Sequence, residues 1–198
     1  MGKIFCLLGK SGAGKDTVFE ALAADKTLGL GRIITYTTRP MRDGECDGEQ
    51  YHFVTKAELD AYEKSGRLIE LRRYDTIKDV WSYGTVDDGQ IDLTQQSYLM
   101  ILTPNGYAAL KKRFGPDDVV PIYIEVEDGE RLERALRRER ESARPDYREM
   151  CRRFLADCDD FSDEKLKEAG VTKRYVNDDI INCTGLIKRD IIRKMEQQ

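Results

Sequence analysis

Residues 9–17 read Gly9-Lys10-Ser11-Gly12-Ala13-Gly14-Lys15-Asp16-Thr17, directly after an apolar run and directly before a helical pattern. The order nearly matches G-x-x-x-x-G-K-[ST], a loop that cradles the phosphates of a nucleoside triphosphate. Its glycines let backbone N–H groups converge on phosphate oxygens, the following helix adds partial positive charge at its N-terminus, and Lys15 reaches the β- and γ-phosphates. Gly9, Ser11, Gly12, Ala13, Gly14, Lys15, Asp16 and Thr17 are therefore the expected triphosphate-binding residues. One position departs from the motif: Asp16 stands where a hydroxyl contacts Mg²⁺, and Thr17 comes one residue late. A carboxylate there can ligate the metal through oxygen or cap the helix that follows. The sequence leaves both open.

A second stretch reads Thr35-Tyr36-Thr37-Thr38-Arg39-Pro40-Met41-Arg42-Asp43-Gly44-Glu45, then Asp47-Gly48-Glu49-Gln50-Tyr51-His52-Phe53-Val54. Two arginines three apart, with Tyr51 nine residues beyond, can hold a dianionic phosphate. The guanidinium forks pair bidentately with it and the phenol donates one further hydrogen bond.

At this point the chain resembles the guanylate kinase family, whose pattern T-T-R-x-P-R-x-G-E followed by G-x-x-Y-x-F-V recurs here with the proline one place early. Glu70 in Leu68-Ile69-Glu70, Tyr83-Gly84-Thr85 and Val176-Asn177-Asp178-Asp179 follow in the same order, so the resemblance covers nearly the whole chain. It implies ATP-dependent phosphorylation of GMP to GDP with Mg²⁺ as cofactor. It also implies that Lys15, Arg39, Arg137 and Arg153 act on the transferring phosphoryl group. By position, Arg39, Arg42, Tyr51 and Tyr83 would hold the GMP phosphate, Glu70 and Thr85 would face guanine, and Thr35 and Thr103 would complete the GMP-binding set. The chemistry agrees: guanine's N1–H and N2–H suit a carboxylate, and its O6 suits a hydroxyl.

Two places depart from the family. Thr103-Pro104-Asn105 stands where an Asp-x-Asp ends the third core strand, and Arg140-Glu141 stands for an Arg-Gly before the lid turn. The expectation is a preference for guanine rather than absolute selection, with Asp16 as the candidate metal carboxylate.

Arg137, Arg140, Arg148, Arg152 and Arg153 are placed like the lid of nucleoside monophosphate kinases. Phosphoryl transfer needs alignment and charge neutralisation, which arginines supply. Glu133, Glu139, Glu141 and Glu149 could instead pair with them along a solvated helical face. Arg137 and Arg153 fit the family spacing best. His52 alternates with Tyr51 on a strand and is expected to be structural, Trp81 to pack the small lobe, and Asn177 to approach adenine.

These residues need elements to position them. Apolar, β-branched runs at 3–8, 32–38, 98–103, 119–126 and 174–176 predict strands; helical periodicity predicts helices at 15–24, 105–114, 130–139, 146–159 and 186–196. Their alternation predicts an α/β fold with a mainly parallel central sheet flanked by helices. With the resemblance this becomes a P-loop kinase with a small inserted nucleotide-monophosphate-binding lobe and an Arg-rich helical lid. The expected division of this single domain of 198 residues is a core at 1–38 and 89–198, a GMP-binding lobe at 39–88 and a lid at about 137–153. Within the lobe, strands at 51–54 and 68–74 and a helix opened by a Thr55/Glu58 capping box are expected.

Composition narrows the partners. A net charge of −4 and a pI near 5.3 give no global pull toward nucleic acid. The expected partners are the small molecules ATP and GMP. No apolar run is long enough to span a bilayer. Five scattered cysteines without a C-x-x-C pair, and one histidine, suit reduced thiols in a cytoplasmic protein rather than a thiol and imidazole metal site. Two other readings compete: a ribose 1,5-bisphosphate phosphokinase-like enzyme, whose loop shares the Gly14-Lys15-Asp16 variant, and a non-catalytic guanylate-kinase-like binding module.

Overall fold

The computed structural model describes residues 1–42, 44–76 and 79–197; Asp43, in the arginine-bearing stretch, lies outside them. At the centre is β1 (Ile4–Leu8), whose five residues are all buried. A strand apolar along its whole length is the mark of a parallel sheet covered on both faces. The glycine loop carries it into α1 (Lys15–Ala23), followed by β2 (Gly31–Arg32), β3 (Tyr36–Thr37), β4 (His52–Phe53), α2 (Lys56–Lys64), β5 (Leu68–Asp75) and β6 (Val80–Val86). The chain returns through β7 (Tyr98–Ile101), α3 (Pro104–Phe114) and β8 (Val119–Glu125). Next come α4 (Asp128–Glu141), α5 (Tyr147–Asp160), α6 (Asp163–Ala169), β9 (Arg174–Val176) and α7 (Ile180–Glu196).

Five strands form a sheet in the order β2-β7-β1-β8-β9, with every neighbouring pair parallel. Alternation along β1 divides the core. Ile4, Cys6 and Leu8 pack with Tyr107 and Leu110 of α3 and Leu166 of α6. Phe5 and Leu7 pack on the other face with Val18 and Leu22 of α1 and with Cys183, Ile187 and Ile191 of α7. A four-stranded sheet, β4-β3-β6-β5, makes the small lobe, and α2 packs Leu59 against it. Thr55 and Glu58 form the expected capping box. Among the described residues no helix is long and apolar enough to cross a membrane.

Besides α6, which the sequence reading lacks, three elements differ from it. The strand expected at 32–38 divides between the sheets: Gly31–Arg32 pairs with β7, whereas Tyr36–Thr37 pairs with β4 and β6 in the small sheet. Between them the Gln90 side chain accepts from Ile34 N at 2.7 Å, replacing a ladder partner. The small sheet thus begins inside the span expected for the core. β6 was visible only as its Tyr83-Gly84-Thr85 motif, yet all seven residues pair. α7 starts at Ile180 rather than 186, because Asp179 accepts from Asn182 N at 2.7 Å and caps it there.

Candidate active site

The phosphate loop bends through Gly12 and Gly14, at φ 82° and 86°, the left-handed region that glycine adopts freely. Asn177, at the end of β9, braces it by donating from Nδ2 to Ala13 O at 2.8 Å. A Cβ on Gly14 would come within 2.6 Å of that same nitrogen, so glycine is required twice over. Asn177 also donates its backbone N–H to Glu125 O at 2.8 Å. Its side-chain and backbone N–H groups thus brace the loop and the sheet.

Lys15 opens α1, is half-buried, and donates from Nζ to Lys10 O at 3.0 Å. Desolvation pushes its ammonium below the ordinary lysine range, partly opposed by Asp16 and Asp157. The helix-capping alternative for Asp16 is corrected. The N-cap is Gly14, which has no side-chain cap hydrogen bond, and Asp16 lies exposed in the first turn with Thr17 beside it. At that position its carboxylate complements the helix dipole and keeps its oxygens open to solvent.

α4 and α5 close over the loop. Arg131, fully buried, donates from Nη1 to Ser11 O at 2.9 Å, from Nε and Nη2 to Asp128 Oδ1 at 3.0 and 2.7 Å, and lies 4.6 Å over the Phe154 ring. Lys10 Nζ also donates to Asp128, at 3.0 Å. Burial pushes the Asp128 carboxyl up, but hydrogen bonds from Arg131 and Lys10 outweigh this and hold it below the usual range. Arg134 approaches Gly12 O and Asn177 O, each at 3.5 Å. On α5, Asp157 Oδ2 accepts from Ser11 N at 2.6 Å, and Arg153 Nη2 donates to Ser11 Oγ at 3.3 Å.

Of the five lid arginines, of which Arg137 and Arg153 are the expected donor contacts, the structure thus brings Arg153 to the loop. Arg152 forks onto Glu149 at 2.7 and 2.8 Å. Arg137 and Arg140 line a cleft of about 360 Å³ along α4 and make no ion pair among the described residues, and neither does Arg148. Sequence reading missed Arg131, Arg134 and Asp157. In a helix carrying an arginine on nearly every turn, spacing alone does not tell which of them face inward.

The acceptor side is a face of the small sheet. Register pairs Glu70 with Thr85 and Arg72 with Tyr83, so Glu70, Arg72 and Tyr74 of β5 share a face with Tyr83 and Thr85 of β6. Glu70, its side chain 3% exposed, accepts from Thr85 Oγ1 at 2.8 Å and from Arg72 Nε and Nη2 at 2.9 and 3.2 Å. Arg72 has no counterpart in the expected set.

Tyr83 meets the rings of Tyr51 and Tyr74 edge-on at 5.6 and 5.7 Å. Arg39, buried, lies 5.4 Å over Tyr51 and 5.5 Å over Phe53 and pairs with Glu45 at 2.7 Å. Burial, then Tyr83, push the Tyr51 phenol up, and the charge of Asp16 adds to this from the phosphate loop.

Arg39, Tyr51, Glu70, Tyr83 and Thr85 are brought together as expected, and Arg42 sits exposed on the rim. Thr35 is buried, its carbonyl accepting from His52 N at 2.9 Å. Thr103 caps α3 by accepting from Gly106 N at 3.3 Å. A Cβ on Gly106 would lie 3.5 Å from Glu70 Oε2, so the first turn of α3 closes the base end of the face. His52 packs on Tyr36 at 4.6 Å, and Trp81 pairs across from Tyr74.

The donors present fit Mg²⁺. This ion binds through one or two carboxylates plus substrate phosphates rather than an all-protein cage. The exposed Asp16, next to Lys15, is such a carboxylate.

Comparison with known proteins agrees with this geometry. The family model described as guanylate kinase matches residues 1–163. The guanylate kinase of Neisseria gonorrhoeae is 34% identical over 125 residues, 62% of this chain, and the match spans 58% of that protein's length. That of Porphyromonas gingivalis is 25% identical over 197 residues, covering 96% of this chain and 97% of its own. The crystal structure of guanylate kinase from Anaplasma phagocytophilum superimposes with a TM-score of 0.64 at 20% identity, over all of this chain and 87% of that one, which shows the fold. A phosphate loop, a buried arginine among tyrosines and a paired glutamate and threonine, in that order within a match over residues 1–163, make this chain a member of the guanylate kinase family.

Proposed function

We propose that the chain transfers the γ-phosphoryl group of ATP to the phosphate of GMP, giving ADP and GDP. The observation that carries this reading is the acceptor face: buried Arg39 between Tyr51 and Phe53, next to the buried Glu70 and Thr85 pair. A monophosphate fits the first cluster and a base the second, with the phosphate loop beyond Tyr51.

In the reaction an oxygen of the GMP phosphate attacks the γ-phosphorus, and the bond to the β,γ-bridging oxygen breaks. The electron pair leaves with ADP. The backbone of residues 9–14 and Lys15 hold the β- and γ-phosphates, and Lys15 with Arg153 neutralises charge on the moving group. Arg39, Tyr51 and Tyr83 hold the acceptor phosphate, with Arg42 joining from the rim. Mg²⁺, when bound beside Asp16, would supply further charge neutralisation at the donor phosphates. The lobe at 39–88 and the lid at 137–153 close over the substrates and exclude water. A cytoplasmic location goes with these substrates.

A coupled assay of ADP release with ATP, Mg²⁺ and a panel of acceptors tests the reading. GMP should exceed AMP in kcat/KM by about 100-fold or more. Faster turnover of AMP or ribose 1,5-bisphosphate than of GMP would overturn the acceptor assignment.

A further inference from the structure

We propose that Arg72 is a specificity-determining residue that reads the carbonyl at C6 of the acceptor base. The acceptor class would then be the 6-oxopurine nucleoside monophosphates, with the 2-amino group of guanine left unread. This rests on the kinase reading above and deepens it.

The argument is a count of donors and acceptors on the base end of the face. An ionised carboxylate offers about four acceptor positions. Three of those on Glu70 are filled, by Thr85 Oγ1, Arg72 Nε and Arg72 Nη2. Guanine would need two, for N1–H and the 2-amino group; one remains. The Thr85 hydroxyl has a single proton, and it lies on Glu70 at 2.8 Å, so Thr85 cannot also donate to O6. Both parts of the simple guanine pocket, a free carboxylate and a free hydroxyl, are already engaged.

The engaged state persists when a base enters. The Glu70 side chain is 3% exposed and that of Arg72 17%. Opening the fork would strand two charges away from water. What the face does present is the rest of the guanidinium: five N–H donors less the two on Glu70 and one toward the neighbouring Tyr74 phenol, with no acceptor among them. The purine partners of such a group are O6 and N7, which an arginine fork takes together. N1–H then goes to the remaining acceptor position of Glu70. Hypoxanthine and guanine offer these same three groups. Adenine presents an amino donor to the guanidinium and an unprotonated N1 to the carboxylate, and is rejected at both.

The test compares kcat/KM for GMP, IMP and AMP in the wild-type protein and in Arg72→Ala and Arg72→Lys, with ATP saturating. Wild type should use GMP and IMP within about tenfold of each other, and AMP about 100-fold worse than either. Arg72→Ala frees Glu70 to take both guanine donors, so the GMP to IMP ratio should widen by about tenfold or more, and Arg72→Lys should fall between. The wild-type ratio needs no variant and stands even where a substitution impairs folding. A wild-type preference for GMP over IMP beyond about 100-fold, or a ratio unmoved by Arg72→Ala, overturns the role of Arg72 while leaving the kinase reading intact. Transfer to none of the three overturns both.

Discussion

Lys15 carries the sharpest prediction at the scale of single residues. It opens α1 at the end of the phosphate loop, and among the described residues its Nζ hydrogen-bonds only the Lys10 carbonyl, so Lys15→Ala should lower kcat by about 10²–10³-fold or more with little change in thermal midpoint. Steady-state kinetics beside a melting curve separates the two effects. Desolvation lowers the Lys15 ammonium, and its charge is lost as pH rises through that lowered value. The alkaline limb of kcat/KM, which reports the free enzyme, should therefore fall below the ordinary lysine value of about 10.4; a limb at or above it would assign the charge to another group. Lys15 and its loop were legible because they are contiguous and each glycine has one physical use. Arg72 was not legible: its meaning comes from strand parity with Glu70 and from the hydrogen bond that Thr85 donates to Glu70 across the sheet, and neither is a spacing in the sequence.

Among the elements, α5 is tied to the loop through an anion. The Asp157 carboxylate takes Ser11 N–H at 2.6 Å, a donor of the kind a phosphate oxygen would use. The two anions compete for it, so Asp157→Ala should tighten ATP binding by about tenfold, the worth of one charge-assisted hydrogen bond. Calorimetric titration checks this. ATP binding weakened to a similar degree would mean that Asp157 positions the loop rather than blocking it. The five strands of the large sheet were readable from apolar runs, although the run at 32–38 spans a change of sheet that no hydropathy pattern marks. α6 escaped notice because it is seven residues long, too short for its periodicity to stand out. The arginines of α4 were seen but not sorted, since Arg131 is inward only by virtue of Ser11, Asp128 and Phe154.

Across the whole molecule, α1 and α7 cover the same face of the sheet, and Asp25, just past α1, bonds Lys188 of α7. The hydrogen bond from Lys188, with those from Thr27, lowers the Asp25 carboxyl to about 2. A carboxyl depressed in the folded state stabilises fully above its unfolded value of about 3.9, and this contribution is lost as pH falls through the folded value. Asp25→Asn should therefore melt below wild type at pH 7, with the difference closing as pH falls toward 2. A difference independent of pH would place the effect in packing.

The central claim is that the phosphate loop and the Arg39 to Thr85 face act on one pair of substrates. Its most direct measurement is calorimetric titration with a bisubstrate analogue, adenosine and guanosine joined through five phosphates. This account predicts binding at least about 100-fold tighter than ATP or GMP alone. It also predicts that Lys15→Ala and Arg39→Ala each weaken that binding by about tenfold or more. An analogue bound no more tightly than ATP, or indifferent to Arg39→Ala, would contradict it.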